Sequence, residues 1–259
     1  MAIEFNRKPG LVIYLTAGDP DLPASRDVAL AAIDAGAEVL ELGVPFSDPI
    51  ADGPVIQRAS ERAVANGTRL KDVLALAAEL RALRPGCGIV IFTYFNPILR
   101  LGLERFCDQA AHCGVDGVLI TDMIVEEAGE YLTQVHHYGL MPVFLAAPTS
   151  TDQRLKMIAN VSEGFVYAIS RVGITGAQRS VADDARPLVE RLRQFTQLPI
   201  AVGFGISTAE HVAAVGEFAD AAVIGSAIVS LIEKTDPGKA PAAVANFLQG
   251  LRRQPVLQG

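Results

Sequence analysis

The sequence has 259 residues, half of them hydrophobic, and its 22 basic and 29 acidic side chains give a formal net charge of −7. An acidic balance without long charged runs argues against nucleic acid or an anionic membrane surface as partner. No apolar run approaches membrane-spanning length and no signal core opens the chain, so we expect a soluble, cytoplasmic protein. The three cysteines lack CxxC spacing and the four histidines are dispersed, which predicts reduced thiols and no metal site.

Short aliphatic runs alternate with amphipathic segments along the whole chain, the pattern of βα units on a parallel sheet. In chain order, the predicted strands cover 11–16, 39–42, 89–94, 117–121, 142–146, 165–169, 199–202 and 221–224. The predicted helices cover 23–35, 55–66, 70–83, 97–113, 126–138, 152–160, 183–195, the segment from 208, and 226–251 with an interruption at 236–238. Eight strands, each followed by helical sequence, predict an α/β fold, a (βα)8 TIM barrel, with residues 1–259 in one domain.

Two carboxylates flank the end of the second predicted strand. Glu41 lies where the strand ends, and Asp52 lies in the Pro/Gly-rich loop that follows. Buried parallel strands normally read as unbroken aliphatic runs, and burial raises a carboxyl pKa toward the range that a general acid/base needs. The alternative is an ion pair for Glu41 and a helix cap for Asp52. Two carboxylates around one strand-end loop favour a catalytic pair.

Glycines follow three consecutive predicted strands in the last part of the chain. Gly176 lies in the loop after strand six, Gly205 follows strand seven, and Gly225 and Ser226 follow strand eight at the start of a helix. Glycines let backbone N–H groups approach an anion, and a helix N-terminus adds a favourable dipole. Because the loops after strands seven and eight bind phosphate in many barrels, the sequence predicts a phosphate-bearing substrate.

An apolar and largely aromatic lining lies near the predicted strand ends. Core packing explains any one of these residues, but together they indicate a flat apolar group bound opposite the phosphate. None of the five lysines falls on a predicted strand, which argues against a Schiff-base aldolase and favours chemistry on carboxylates without a cofactor. The lining residues are Tyr14, Tyr94, Leu119, Tyr167 and Phe204.

Several long motifs resemble the alpha subunit of tryptophan synthase, over nearly the whole chain from 11 to 233. They are LTAGDP at 15–20, ELGVPFSDP at 41–49 with ADGP at 51–54, SRVGITG at 170–176, GFGIS at 203–207 and GSA at 225–227. Two features depart from that family's pattern. Residues 1–10 stand where members often carry a helix ahead of strand one, and Ile124 stands where a proline is usual.

The resemblance implies a lyase that cleaves indole-3-glycerol phosphate to indole and glyceraldehyde 3-phosphate in tryptophan biosynthesis. By position, Glu41 matches the principal acid/base, Asp52 the carboxylate that stabilises positive charge at the indole nitrogen, and Tyr167 a positioning tyrosine. Thr175 matches a residue of the loop that closes the site and orients Asp52. Four residues match the phosphate-binding backbone: Gly176, Gly205, Gly225 and Ser226.

The resemblance also implies a partner, a beta subunit that holds pyridoxal phosphate, in an alpha2beta2 heterotetramer, with segments 45–54 and 96–97 of this chain in the contact. Three alternatives stay open at this point. The chain could be a stand-alone lyase that releases free indole. It could be a non-catalytic regulatory subunit, against which the presence of both Glu41 and Asp52 argues. It could be a phosphosugar isomerase or epimerase on the same barrel.

Overall fold

The computed structural model describes residues 3–169, 181–203 and 205–252. Its sheet is parallel throughout, and the strand ends lie within one or two residues of the sequence prediction. In chain order its strands are β1 (Gly10–Thr16), β2 (Val39–Gly43), β3 (Gly88–Thr93), β4 (Gly117–Ile120), β5 (Met141–Val143), β6 (Leu145–Ala146), β7 (Val166–Ile169), β8 (Ile200–Gly203) and β9 (Ala221–Ile224).

The predicted fifth strand is divided into β5 and β6, with Phe144 between them. The lower part, β5, pairs with β4, and the upper part, β6, pairs with β7. This one extended run therefore joins the two ends of the sheet order β5-β4-β3-β2-β1-β9-β8-β7-β6. Barrel strands are tilted and staggered, so a strand can meet its two neighbours at different heights. The TIM-barrel prediction is confirmed.

Helices cover the outside of the sheet. They are α1 (Leu22–Asp34), α2 (Pro54–Ala65), α3 (Leu70–Leu83), α4 (Phe95–Leu101), α5 (Leu103–His112), α6 (Gly129–His137), α7 (Asp152–Val161), α8 (Val181–Leu192), α9 (Ala209–Gly216), α10 (Ser226–Glu233) and α11 (Ala240–Leu251).

Local sequence explains several of the helix ends. The Asp21 side chain accepts a hydrogen bond from the Ala24 N–H at the start of α1, and Gly36, with φ of 102°, follows its last turn. The prediction of one helix over 97–113 was wrong. Gly102 adopts φ of 94°, a conformation that favours glycine, and it divides the segment into α4 and α5.

The two larger clusters of the core lie between the sheet and the helices and inside the barrel. Residues alternate between them along each strand, so that Val39 faces the interior while Leu40 and Leu42 face the helices. At the amino-terminal ends of the strands, Ile3 and Phe5 pack into the interior, with the Phe5 and Phe165 ring centroids 6.1 Å apart. Residues 3–5 thus close the bottom of the barrel.

The opposite end of the barrel carries the loops in which the sequence places the chemistry. The carboxyl ends of β1, β2, β3, β7, β8 and β9 meet around this opening, as the mouth of a barrel requires.

In the part of the chain that the structure describes, no helix combines the length and apolarity needed to traverse a lipid bilayer.

Candidate active site

Glu41 is a buried carboxyl group inside the barrel. Its Cα pairs in register with Tyr14 on one side and Val90 on the other, and alternation turns its side chain to the interior. The residue has no exposed surface, and burial raises the pKa of its carboxyl to about 8. Among the described residues, neither of its carboxyl oxygens has a hydrogen-bond partner. The ion pair that sequence alone left open for Glu41 is not present among those residues.

Asp52 lies in the loop between β2 and α2 and is held there by hydrogen bonds. The Tyr94 hydroxyl donates to its Oδ2 at 2.9 Å and accepts the Ala51 N–H, also at 2.9 Å. Gln57 Nε2 donates to the Asp52 carbonyl oxygen at 2.9 Å. Burial raises the pKa of the Asp52 carboxyl to about 6, against the Tyr94 hydrogen bond, which lowers it.

The two carboxyl groups therefore differ in protonation at neutral pH. With pKa values of about 8 and about 6, Glu41 is mostly protonated at pH 7 while Asp52 is mostly ionised. When their surroundings separate the pKa values of two carboxyl groups, the protonated one can donate a proton and the ionised one can stabilise a positive charge in the same site. Both carboxyl groups act on the pKa of Tyr14 and of Tyr167, so one site can donate a proton from a buried acid and also hold a negative charge.

Two interior glycines provide space for the hydroxyl groups of two tyrosines. A β-carbon at Gly43 would collide with the Tyr14 hydroxyl, and one at Gly203 would collide with the Tyr167 hydroxyl. The sequence pattern indicated neither this packing of the two glycines nor a role for Thr16, whose Oγ1 lies 3.3 Å from the Tyr14 hydroxyl. The sequence feature that could have indicated this packing is a glycine at the end of an aliphatic strand, next to a neighbouring strand that carries a tyrosine.

The remaining lining residues form the floor and one side of the mouth. Leu119 is fully buried in the interior cluster, so it can contact only a ligand group that reaches the floor. Phe92 packs edge-on against Tyr14 with 5.0 Å between centroids, and Phe46 packs against Tyr94 at 5.1 Å. Neither phenylalanine was singled out from the sequence. Tyr167 is buried in the same interior cluster as Leu119, and both burial and the Glu41 and Asp52 charges raise its pKa.

The predicted phosphate region is partly described. Gly205 has φ of 75°, in the left-handed region that favours glycine. Gly225 precedes α10, Ser226 opens that helix and is exposed, and no described side chain caps it, so its first N–H groups remain available. Three predicted site residues, Thr175, Gly176 and Phe204, lie outside the described residues.

Other polar residues near the strand ends have structural partners. Asp19 is almost fully buried and accepts two hydrogen bonds from Arg62, at 2.7 and 2.8 Å. Asp122 Oδ1 accepts the Phe95 N–H at 2.8 Å at the start of α4. Within the described ranges, no group of three or more histidine, cysteine or acidic residues is arranged to hold a metal ion.

A parallel (βα)8 barrel with a protonated and an ionised carboxyl group at its mouth defines a class, the barrel enzymes that work by acid/base chemistry. Comparison with known proteins then gives the family. The sequence model described as "Tryptophan synthase alpha chain" matches residues 2–253. The chain belongs to the tryptophan synthase alpha chain family.

Individual relatives agree with that assignment. The chain is 49% identical to the tryptophan synthase alpha chain of Solibacter usitatus over 249 residues, which cover 96% of this chain and 92% of the relative. It is 45% identical to that of Methylococcus capsulatus, with 96% and 93% covered. A solved structure of the tryptophan synthase α2β2 complex of Pyrococcus furiosus superposes with a TM-score of 0.88 at 39% identity, covering 95% of this chain and 98% of that one.

Proposed function

We propose that this chain cleaves indole-3-glycerol phosphate to indole and glyceraldehyde 3-phosphate, the alpha reaction of tryptophan synthase. The observation that carries the proposal is Glu41, a fully buried carboxyl group with a pKa of about 8 and no partner among the described residues. Protonation of an aromatic ring carbon requires an acid that is still protonated at neutral pH and is not engaged elsewhere. Glu41 meets both requirements, and family membership supplies the substrate.

In the proposed mechanism, Glu41 gives its proton to the ring carbon that bears the glycerol chain. The ring then carries positive charge at its nitrogen. The bond from that ring carbon to the chain breaks, and its electron pair returns to the ring. The carbon of the chain that bears the hydroxyl group becomes the aldehyde carbon. The proton of that hydroxyl group passes to the Glu41 carboxylate, which restores the acid. The cycle returns the proton that it used and transfers no electrons to an acceptor, so the reaction needs no cofactor in this chain.

The other site residues support this step. Asp52, ionised and held by Tyr94, stabilises the charge at the ring nitrogen, and Tyr167 positions the reacting groups. Tyr14, Tyr94, Leu119 and Phe204 form the apolar surroundings of the indole ring. Backbone N–H groups hold the phosphate, and Thr175, by its position in the family's motif, orients Asp52. The phosphate-binding residues are Gly176, Gly205, Gly225 and Ser226.

We further propose that the chain assembles with a tryptophan synthase beta subunit as an alpha2beta2 complex, in which pyridoxal phosphate belongs only to the beta chain. The Pyrococcus furiosus relative is such a complex. Three exposed apolar side chains follow neighbouring strands at the mouth: Ile50 is 85% exposed, Leu99 is 56% exposed and Ile124 is 46% exposed. Exposed apolar side chains after three neighbouring strands fit a protein contact at this end of the barrel.

The family match over residues 2–253 also supports one domain for the whole chain. We place the reaction in the cytoplasm, where the unpaired thiols of Cys87, Cys107 and Cys113 remain reduced.

The test is indole release from indole-3-glycerol phosphate by the purified protein, alone and with a beta subunit. We expect indole in both cases and a higher rate with the partner. Glu41→Gln keeps the shape of the side chain and removes its acid, so it should lower the rate at least about 100-fold. Glu79→Gln, the same change at an exposed position of α3, is the matched control and should leave the rate unchanged.

Each contrary outcome has a distinct meaning. Full activity of Glu41→Gln would contradict the assigned acid. High activity that no beta subunit alters would favour the stand-alone lyase. Absence of indole under both conditions, with the phosphate ligand still bound, would refute the lyase and favour a regulatory subunit.

A further inference from the structure

Strand β1 ends in a pair of buried hydroxyl groups. Tyr14 and Thr16 are two residues apart, so they point to the same side of the strand, the interior side that Val12 also faces. The Tyr14 hydroxyl oxygen lies 3.3 Å from Thr16 Oγ1. Both residues are almost fully buried, 5% and 3% exposed. Polar groups in such a position require hydrogen-bond partners.

The pair lies on the mouth side of Glu41. Tyr14 is the register partner of Glu41, but its hydroxyl extends toward Gly43, which is two residues further along β2 on the same face. A rise of about 3.3 Å per residue places that hydroxyl above the carboxyl-bearing position. Burial with nearby Asp52 and Glu41 charges raises the Tyr14 pKa, in agreement with this placement.

The ring of Tyr14 extends the same line toward the phosphate region. A β-carbon at Gly225 would be in contact with the Tyr14 ring at 3.7 Å, and Val229 of α10 packs against Tyr14. Tyr14 therefore joins the N-terminal end of α10 to the space above Glu41. In the proposed reaction the three-carbon chain of the substrate must cover this same interval, because it links the phosphate to the ring carbon that Glu41 protonates.

The pair has unused hydrogen-bonding capacity. Two hydroxyl groups carry two hydrogens, and the bond between them uses one. Among the described residues, the second hydrogen has no assigned acceptor. Because the Tyr14 pKa lies well above its usual value, its hydroxyl stays protonated and cannot serve as a base. The pair can bind and orient a hydroxyl group but cannot remove its proton.

We propose that the Tyr14–Thr16 hydroxyl pair binds the hydroxyl groups of the substrate's three-carbon chain and selects substrates that carry them. This inference rests on the proposed function, since it takes its substrate from that reaction. It assigns Thr16 to the site and gives Tyr14 a polar role besides its apolar contact. A site built to hydrogen-bond a hydroxyl discriminates against an analogue that lacks it.

The test compares two ligands, indole-3-glycerol phosphate and indole-3-propyl phosphate, which lacks both chain hydroxyls. Tyr14→Phe and Thr16→Val remove one hydroxyl each and keep the approximate shape. Dissociation constants are measured by calorimetry in a Glu41→Gln background, so that the substrate is not consumed. Each variant should weaken binding of the hydroxylated ligand about three- to tenfold, the usual range for one hydrogen bond, and leave the propyl ligand unchanged.

Two controls separate recognition from a structural effect. Thr16→Ser keeps the hydroxyl and should restore most of the preference for the hydroxylated ligand. Tyr131→Phe removes another buried hydroxyl, which donates to the Val118 carbonyl oxygen at 3.0 Å. Tyr131 lies between the sheet and the helices, outside the barrel interior. The substitution should lower stability without changing the ratio of the two dissociation constants.

Equal weakening of both ligands in Tyr14→Phe and Thr16→Val would overturn the proposal, because the pair would then be only structural. Unchanged binding of both ligands would overturn it as well. If the protein without the Glu41 substitution releases no indole, the proposed reaction fails, while the dissociation constants still decide on the hydroxyl pair. If neither ligand binds, both proposals fail together.

Discussion

At the scale of single residues, the proposed chemistry rests on the contrast between Glu41 and Asp52. Both carboxyl groups lose solvent, but Asp52 gains a hydrogen bond from Tyr94 and Glu41 gains none among the described residues. A donated hydrogen bond favours the ionised form, so Asp52 remains the stronger acid of the two. The tyrosine hydroxyl thus has a part in keeping the two groups in different protonation states.

This contrast predicts the pH dependence of the reaction. Asp52 must be ionised, so kcat/KM should fall as the pH decreases through about 6, and Glu41 must be protonated, so it should fall as the pH rises through about 8. Tyr94→Phe removes the bond that lowers the Asp52 pKa and should move only the acidic limb, to higher pH. The measurement is kcat/KM across pH 5 to 9.

Tyr138→Phe on the far end of α6 is the control for that experiment and should leave both limbs in place. A shift of the alkaline limb in Tyr94→Phe, or of neither limb, would contradict the assignment of the acidic limb to Asp52.

The sequence predicted part of this residue-scale picture. Glu41 and Asp52 could be proposed from the sequence because carboxylates are unusual at the end of an aliphatic strand. The contact of Tyr94 with Asp52 could not be, since it joins residues 42 positions apart through the conformation of one loop. The role of Gly43 and Gly203 beside tyrosine hydroxyls depends on register between strands, which pattern alone does not fix.

At the scale of elements, α2 and α10 are held together beside the mouth by an ion-pair network. Arg58 and Arg62 of α2 both bond Glu233 at the end of α10, and Arg62 also pairs with Asp19 after β1. α2 begins two residues after Asp52, and α10 begins at the proposed phosphate region. The network therefore fixes the helices that carry two parts of the site.

We predict unequal effects of the two arginines on stability. Arg62→Met leaves the Asp19 carboxylate buried, 4% exposed, without its bidentate partner, and should cost about 3 kcal/mol in unfolding free energy. Arg58→Met removes only a half-exposed partner of Glu233 and should leave the unfolding free energy nearly unchanged, because exposed ion pairs contribute little. Urea unfolding of both variants is the measurement, and equal costs would show that Asp19 burial is unimportant.

Element boundaries also show the limit of sequence patterns. The 70–83 and 221–224 predictions match α3 and β9 residue for residue, because strong periodicity ends at clear breaks. The division of the fifth strand at Phe144 has no such signal. It results from pairing with two different neighbours, which is a property of barrel closure and not of the run 141–146 itself.

At the scale of the whole molecule, the barrel separates stability from chemistry. Ile3 and Phe5 complete the interior core at the bottom, while the proposed site occupies the opposite end. Barrel enzymes commonly show this division. Substitutions at the bottom should therefore change stability without changing the chemical step.

Ile3→Ala tests that separation. The side chain is 6% exposed, so its truncation should cost about 2–4 kcal/mol of unfolding free energy while kcat/KM at 25 °C stays unchanged. Leu83→Ala, at a half-exposed position of α3, is the control and should cost less than about 1 kcal/mol. Loss of activity in a still-folded Ile3→Ala protein would show that the two ends of the barrel are coupled.

The divided fifth strand has a consequence for where thermal motion can most easily widen the barrel. Segment 141–146 divides its backbone hydrogen bonds between two neighbouring strands. The β4–β5 and β6–β7 pairings therefore contain fewer residue pairs than the β1–β2 or β2–β3 pairing. Thermal widening is least costly where the fewest bonds must stretch. β1 is the fifth of nine segments in the sheet order, directly across the barrel from residues 141–146. We therefore expect the opening to fluctuate more at the wall formed by β5 and β6 than at the β1–β2 wall, where the longer ladder should keep the spacing between the groups on the two strands nearly constant.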